Sequence, residues 1–175
     1  MYCHLNNNNV LVNEQFGFRE KLSTEMATYT LLNNVLSSLA EKNFVGGLFC
    51  DLQKVFDCIN HDILLAKMKF YGISGIANKL MRPYLGNRYQ RISMKYNKLN
   101  KLSSKWEHVE HGVPQGSVLG PLLFLIYIND LLLTISKLAN LMLFTDDTSI
   151  IISNAIPVEF KNNINPLALE FPFKF

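Results

Sequence analysis

An α+β fold, with a largely antiparallel sheet and helices packed on one face, is what this chain of 175 residues predicts. Three observations carry the prediction. Some stretches space their apolar residues as a helix does. Others are short runs that alternate or are wholly apolar, as strands are. The third is a hairpin signal in LMLFTDDTSI (residues 141–150), where two adjacent aspartates interrupt two apolar runs. The composition agrees: 49% hydrophobic and 18% charged is a folded chain, about one domain long, and not a disordered one. A formal charge of +3 permits a nucleic-acid partner without arguing for one. Cys3, Cys50 and Cys58 form no CxxC pair and no even framework, which fits reduced thiols inside a cell.

The start, MYCHLNNNNV, has neither the basic region nor the long apolar region of a signal peptide, and residues 1–13 read as a disordered lead-in. Residues 23–43 read as a helix with Leu32, Val35, Leu36 and Leu39 on one face, capped by Ser23 or Thr24. Gly46-Gly47 reads as a turn before LFCDL (48–52), an apolar strand covered on both faces and broken by Asp51. Residues 60–72 have an Asn at the start and a Gly at the stop of a helix. Residues 74–86 read as another, which Pro83 should kink or shorten. RISMKY (91–96) alternates, with Ile92, Met94 and Tyr96 opposite a basic face, and WEHVEH (106–111) reads as a second strand. GVPQGSVLGP (112–121) is a turn-rich loop that feeds a helix capped by Ser117, with Pro121 in its first turns. The apolar part of residues 121–135, interrupted by Asn129 and Asp130, falls short of the roughly 20 residues of a membrane span and reads as a buried helix. The tail from residue 154 shows weak periodicity and gives no assignment.

Taken alone, an Asp-Asp dipeptide in a hairpin is a solvated turn, and Asp51 simply ends a strand. Taken together they allow more. If the strand of Asp51 lies beside the hairpin, three carboxylates share one end of the sheet and repel unless a cation joins them. Mg²⁺ accepts such oxygens, and two such ions make the clamp of in-line phosphoryl transfer. Both readings stand on spacing alone, and the same carboxylate chemistry also serves a two-metal nuclease.

Five segments in order then resemble the reverse transcriptases of non-LTR (LINE-type) retrotransposons. GLFCDLQKVFDCINHDILLAKMKFYGI resembles their motif A (48–72 here), HGVPQGSVLGPLLFLIYINDL their motif B (111–131) and LFTDDTSI their motif C (141–150). EQFGFREKLSTEMA (14–27) resembles a fingers segment, and YLGNRYQRI (84–92) the stretch between motifs A and B. The resemblance spans residues 14–153 and implies the fingers and palm of a right-hand polymerase. It implies an RNA-directed DNA polymerase that joins a dNTP to a primer 3′-hydroxyl on an RNA template, working on two Mg²⁺ ions, with Mn²⁺ as a substitute. Its partners would be RNA template, DNA primer and dNTPs, with no membrane, in cytoplasm and nucleus.

By this resemblance Asp51 and Asp146 hold the metals, with Leu52 beside them, and Asp147 is the lesser third carboxylate. Phe56 would exclude the ribose 2′-hydroxyl, against the simpler reading of a core aromatic. Gln115 and Gly116 would meet the incoming nucleotide, in a loop that is neither a P-loop nor a dinucleotide fingerprint. Arg19, Arg88 and Arg91 would meet nucleic acid. Arg19 also reads as a plain surface Arg, and the basic stretch from Arg88 through Lys95, Lys98, Lys101 and Lys105 as a solvated hairpin face. His61, His108 and His111 read as structural. Thr145, Gln53 and Val55 depart from the family's Ala, Ser and Ala. An upstream fingers segment would precede residue 1. The palm Lys motif, primer grip and thumb expected after motif C are not legible in residues 154–175, so a catalytically inactive remnant that at most binds nucleic acid is the alternative.

Overall fold

The apolar runs around the paired aspartates do form strands. The computed structural model describes residues 1–96, 101–131 and 139–170, with backbone alone over 166–170. Strand β1 (Phe44–Asp51), β6 (Ala139–Phe144) and β7 (Asp147–Asn154) make one antiparallel sheet in the order β1-β7-β6. Central β7 buries Ile150, Ile151 and Ile152. Leu141, Leu143, Ile150 and Ile152 join the main core with α3 (His61–Phe70) and α5 (Gly120–Ile128), whereas Met142 points the other way, to Phe16 and Ala27. That opposite face is covered by α2 (Thr24–Ala40), so the sheet has helices on both faces rather than on one.

Ser23 caps α2 as expected, accepting from the Met26 amide at 3.3 Å. The predicted apolar face does not pack: Leu32, Leu36 and Leu39 are each more than half exposed, and Ala27 and Ser38 lie against the sheet instead. Small residues let a helix approach a sheet closely, a signal that apolar periodicity does not carry. Gly46 and Gly47 likewise make no turn. They lie inside β1, because a Cβ on Gly46 would come within 2.8 Å of Phe160 and Ile164 on α6 (Pro157–Glu170). This helix gives the tail a structure that its sequence did not suggest, and Phe160 and Ile164 fasten it to the core. β1 is an edge strand with Phe49 exposed, so it is not covered on both faces as expected.

Asn60 caps α3 by accepting from the Asp62 and Ile63 amides, and Gly72 ends it at φ +83°. Pro83 does not end α4 (Gly75–Gly86); the proline is exposed, so water can take the carbonyl that loses its donor. In α5 eight of nine residues are buried. Its cap residue is Leu119, two positions after the expected Ser117, although the Ser117 hydroxyl still accepts the Gly120 amide at 3.0 Å. The predicted continuation of this helix falls on residues 132–135, outside the described residues.

Residues 1–13 are not a disordered lead-in. They hold α1 (Tyr2–Asn7), with Leu5 fully buried and Leu11 nearly so. The Asn129 side chain donates to the Val10 carbonyl at 2.8 Å and accepts from the Val12 amide at 3.0 Å. Two leucines and one buried amide outweigh the four asparagines, which stay exposed. Finally, β2 (Tyr89–Gln90) pairs with β5 (Glu107–His108), and β3 (Ser93–Lys95) with β4 (Lys101–Ser103). The expected half-buried strand over 91–96 is exposed throughout. Among the described residues no helix is long and apolar enough to cross a membrane.

Candidate active site

The turn between β6 and β7 is only two residues long, Thr145 and Asp146, which fixes the hairpin register. Thr145 takes φ +58°, an unusual conformation for a β-branched residue. β7 then pairs with β1 so that Asp147 lies directly across from Asp51, and the Leu52 amide donates to the Asp146 carbonyl at 3.3 Å. The topology therefore brings all three predicted aspartates to one end of the sheet. They share that end unequally. Asp51 and Asp147 border a cleft of 460 Å³ between α2 and the strands, while Asp146 lines a second cleft of 530 Å³. The register thus sets the Asp51 backbone across from Asp147, with Asp146 in the adjoining turn.

Burial cost does not oppose this clustering: Asp51 and Asp147 are exposed and Asp146 half-buried. Among the described residues none of the three has an ion-pair partner. Leu52 is buried, so it can offer a metal only its backbone carbonyl. Cys50, which lines the first cleft, has its thiol pKa pushed up by burial. Among the described residues no group of three or more His, Cys, Asp or Glu is close enough to hold a metal ion. The donor chemistry still suits Mg²⁺, which takes one or two carboxylates and completes its shell with water and substrate phosphate.

The second cleft contains the other predicted nucleotide-binding residues. Phe56, Gln115 and Gly116 line it with Asp146, Lys54 and Phe18. Phe56 is half-buried, 4.8 Å from the Phe124 ring and 6.3 Å from Phe18. It is therefore both a core-edge aromatic and a cleft wall. Gln115 donates to the Asp57 carboxylate at 3.0 Å. Gly116 adopts φ +76° and has open space where a Cβ would sit. The two loops are zipped by backbone bonds from Gly112 to Ile59 (2.7 Å) and from Val113 to Phe56 (2.8 Å). A Cβ on Gly112 would lie 2.7 Å from the Asp57 Cα, so only glycine lets the loops meet.

The three predicted arginines do not converge on the clefts. Arg19 donates to the Val12 carbonyl at 2.6 Å, and Arg88 to the Leu85 and Gly112 carbonyls, so both brace loops. Arg91 lies over the Trp106 ring at 4.5 Å. His61 and His108 are structural, bonded to the carbonyls of Gly112 and Gly86.

Sequence reasoning missed Gln15. It is 2% exposed, and its Oε1 accepts the amides of Gly17 (2.7 Å) and Thr145 (3.3 Å). Phe16 and Glu14 bond the Leu143 backbone, so this segment extends the sheet beside β6 and clamps the aspartate turn. A Cβ on Gly17 would lie 2.4 Å from the Thr145 nitrogen. No local signal marked it, since Gln15 follows the polar Asn13 and Glu14 in the sequence.

Comparisons with known proteins bear on this arrangement. The probable RNA-directed DNA polymerase from transposon BS of Drosophila melanogaster is 33% identical over 128 residues, 70% of this chain and 13% of its own length. The RNA-directed DNA polymerase from mobile element jockey of Drosophila funebris is 33% identical over 117 residues, 67% of this chain and 12% of its own. The chain thus spans about an eighth of the length of these relatives. A structure of apo telomerase from Candida tropicalis, truncated from its C-terminal domain, matches 90% of this chain and 33% of its own with a TM-score of 0.55 at 16% identity, a likeness of fold. The family model described as reverse transcriptase (RNA-dependent DNA polymerase) matches residues 1–165, helices α1 and α2 as well as the aspartate hairpin, and on that match the chain belongs to the reverse transcriptase family.

Proposed function

We propose that this chain is the core of an RNA-directed DNA polymerase, transferring the nucleotide of a dNTP to a primer 3′-hydroxyl on an RNA template. The observation that carries the reading is the placement of Asp51, Asp146 and Asp147 at one sheet end, beside a cleft lined by Phe56, Gln115 and Gly116. Asp51 and Asp146 would hold the divalent ions, with the Leu52 carbonyl nearby and Asp147 adding charge from across the strand. Two bound Mg²⁺ ions, or Mn²⁺ in their place, would supply hydroxyl activation and charge neutralisation at the phosphate.

The chain's own residues do the rest. Lys54, facing the same cleft as Asp146, offers a cation to the triphosphate. Gly116 lets the loop backbone approach the nucleotide without a side chain between them. Phe56 is held from behind by Phe124, so it cannot swing away from a 2′-hydroxyl. Gln115, oriented by Asp57, faces the base or sugar. RNA template, DNA primer and dNTPs are then the partners, met in cytoplasm and nucleus.

Primer extension on an RNA template with Mg²⁺, wild type against Asp146→Asn, is the direct test. The variant should lose at least about a hundred-fold in rate, on the order of the loss from removing one transition-state electrostatic group. Equal rates from the two proteins would refute the reading.

A further inference from the structure

The hairpin β3–β4 stands apart from both clefts. Its two strands pair only with each other, and all six strand residues are exposed. A lone two-stranded hairpin is marginal in water and leaves its apolar side chains uncovered. Here Met94 is 64% exposed, Tyr96 80% and Trp106 59%. Such a surface calls for an occupant, and its charge says which kind. Residues 88–105 carry six of the chain's 17 Lys and Arg and no Asp or Glu, so the formal +3 of the whole chain rests on this segment.

We propose that this hairpin binds single-stranded nucleic acid, with Arg91, Lys95, Lys101 and Lys105 on its phosphates and Trp106 stacked on a base. An exposed aromatic beside cations is what an unpaired base accepts, since a duplex hides its base faces. Arg91 over the Trp106 ring orients that ring at the hairpin base. Below it, Arg88 accepts the Val109 amide through its carbonyl and donates its guanidinium to the Gly112 carbonyl. The hairpin is therefore rooted in the loop that walls the Asp146 cleft. A strand bound on it would be the template, and only this last step rests on the polymerase reading.

The test is binding of a fluorescent oligouridine by the full chain across a range of KCl concentrations, without dNTPs. Neutralising two cations, Lys95→Gln with Lys101→Gln, should weaken binding roughly ten-fold at low salt and reduce the salt slope by about 1.4, at about 0.7 per cation on a single strand. Lys95→Arg with Lys101→Arg should keep the slope. Trp106→Ala should weaken binding roughly 5- to 100-fold with little change in slope. If extension fails while these slopes hold, the hairpin stands and the polymerase reading falls. Unchanged affinity in the double Gln variant, tighter binding of a duplex than of the oligouridine, or binding only to vesicles of anionic lipid would each overturn the proposal.

Discussion

Two hairpins of this protein carry apolar residues in different patterns, continuous in β6–β7 and alternating around β3, and meet opposite fates. In β6–β7, Leu141, Leu143, Ile150 and Ile152 are buried, and β1 and α2 close the edge and the second face. In and beside β3–β4, Ile92, Met94 and Leu102 remain largely exposed among the described residues. Alternation around β3 therefore predicts a strand but not its burial, whereas the unbroken apolar runs of β6 and β7 are buried. Burial follows from length and from a third strand: β7 runs eight residues beside β1, while β3 runs three. The chemistry matches the mechanics. Carboxylates that must hold a fixed relation sit on the rigid hairpin, and cations that need only attract a phosphate chain sit on the free one.

The clamp on the first hairpin is where this contrast breaks most readily. Gly17→Ala would drive a methyl onto the Thr145 backbone, a contact of 2.4 Å that only a backbone shift can relieve. The expected loss is about 3 kcal/mol of stability, the upper end of overpacking costs, read from a urea melt. Primer extension should fall with it, because Asp146 moves with Thr145. A melt unchanged from wild type would show that the turn is as loose as the basic hairpin.

Gln15→Met keeps the shape and removes the acceptor. The buried amide of Gly17 loses its partner at about 1–3 kcal/mol, and the half-buried amide of Thr145 loses its own at a smaller cost. The Gln15 Nε2 atom has no hydrogen-bond partner among the described residues, so its removal offsets part of the cost. A net loss of about 2 kcal/mol in the same melt is expected. A loss near zero would mean that the segment holds the sheet only through the Phe16 and Glu14 backbone bonds.

How much of this was legible in the sequence divides along the same line. The three aspartates, Phe56 and the Gln115-Gly116 loop came from motif order, and the helix caps at Ser23 and Asn60 from local chemistry. What failed depended on distant partners. Gly46 is in a strand because α6 lies across it, α2 packs through Ala27 because small residues admit the sheet, and residues 1–13 are ordered because Asn129 reaches Val10 and Val12. The pairing of Asp51 with Asp147 is a matter of register, which a one-residue shift would reverse and which no single motif encodes.

Thr145→Gly sharpens the comparison from the other side, by stabilising. Thr145 holds φ +58°, a conformation that costs a β-branched residue about 1–3 kcal/mol and a glycine nothing. Glycine adds about 0.5–1 kcal/mol of unfolded-state entropy, so the net gain is about 1 kcal/mol, read as a raised urea midpoint. A lowered midpoint would mean that the threonine side chain, and not the Gln15 clamp, holds the turn.

The smallest effect belongs to the basic hairpin. Lys95→Gln with Lys101→Gln alters exposed side chains on strands that pair with each other, and surface changes of this kind move stability within about 0.5 kcal/mol. The relief of repulsion between cations that are register partners, Lys95 and Lys101, acts in the stabilising direction. A melt at or slightly above wild type is therefore expected from the same protein that binds oligouridine less well. That combination, stability held while binding falls, separates a surface kept for a partner from one kept for the fold. A loss above 1 kcal/mol would place the hairpin with the first one, as part of the fold's own structure.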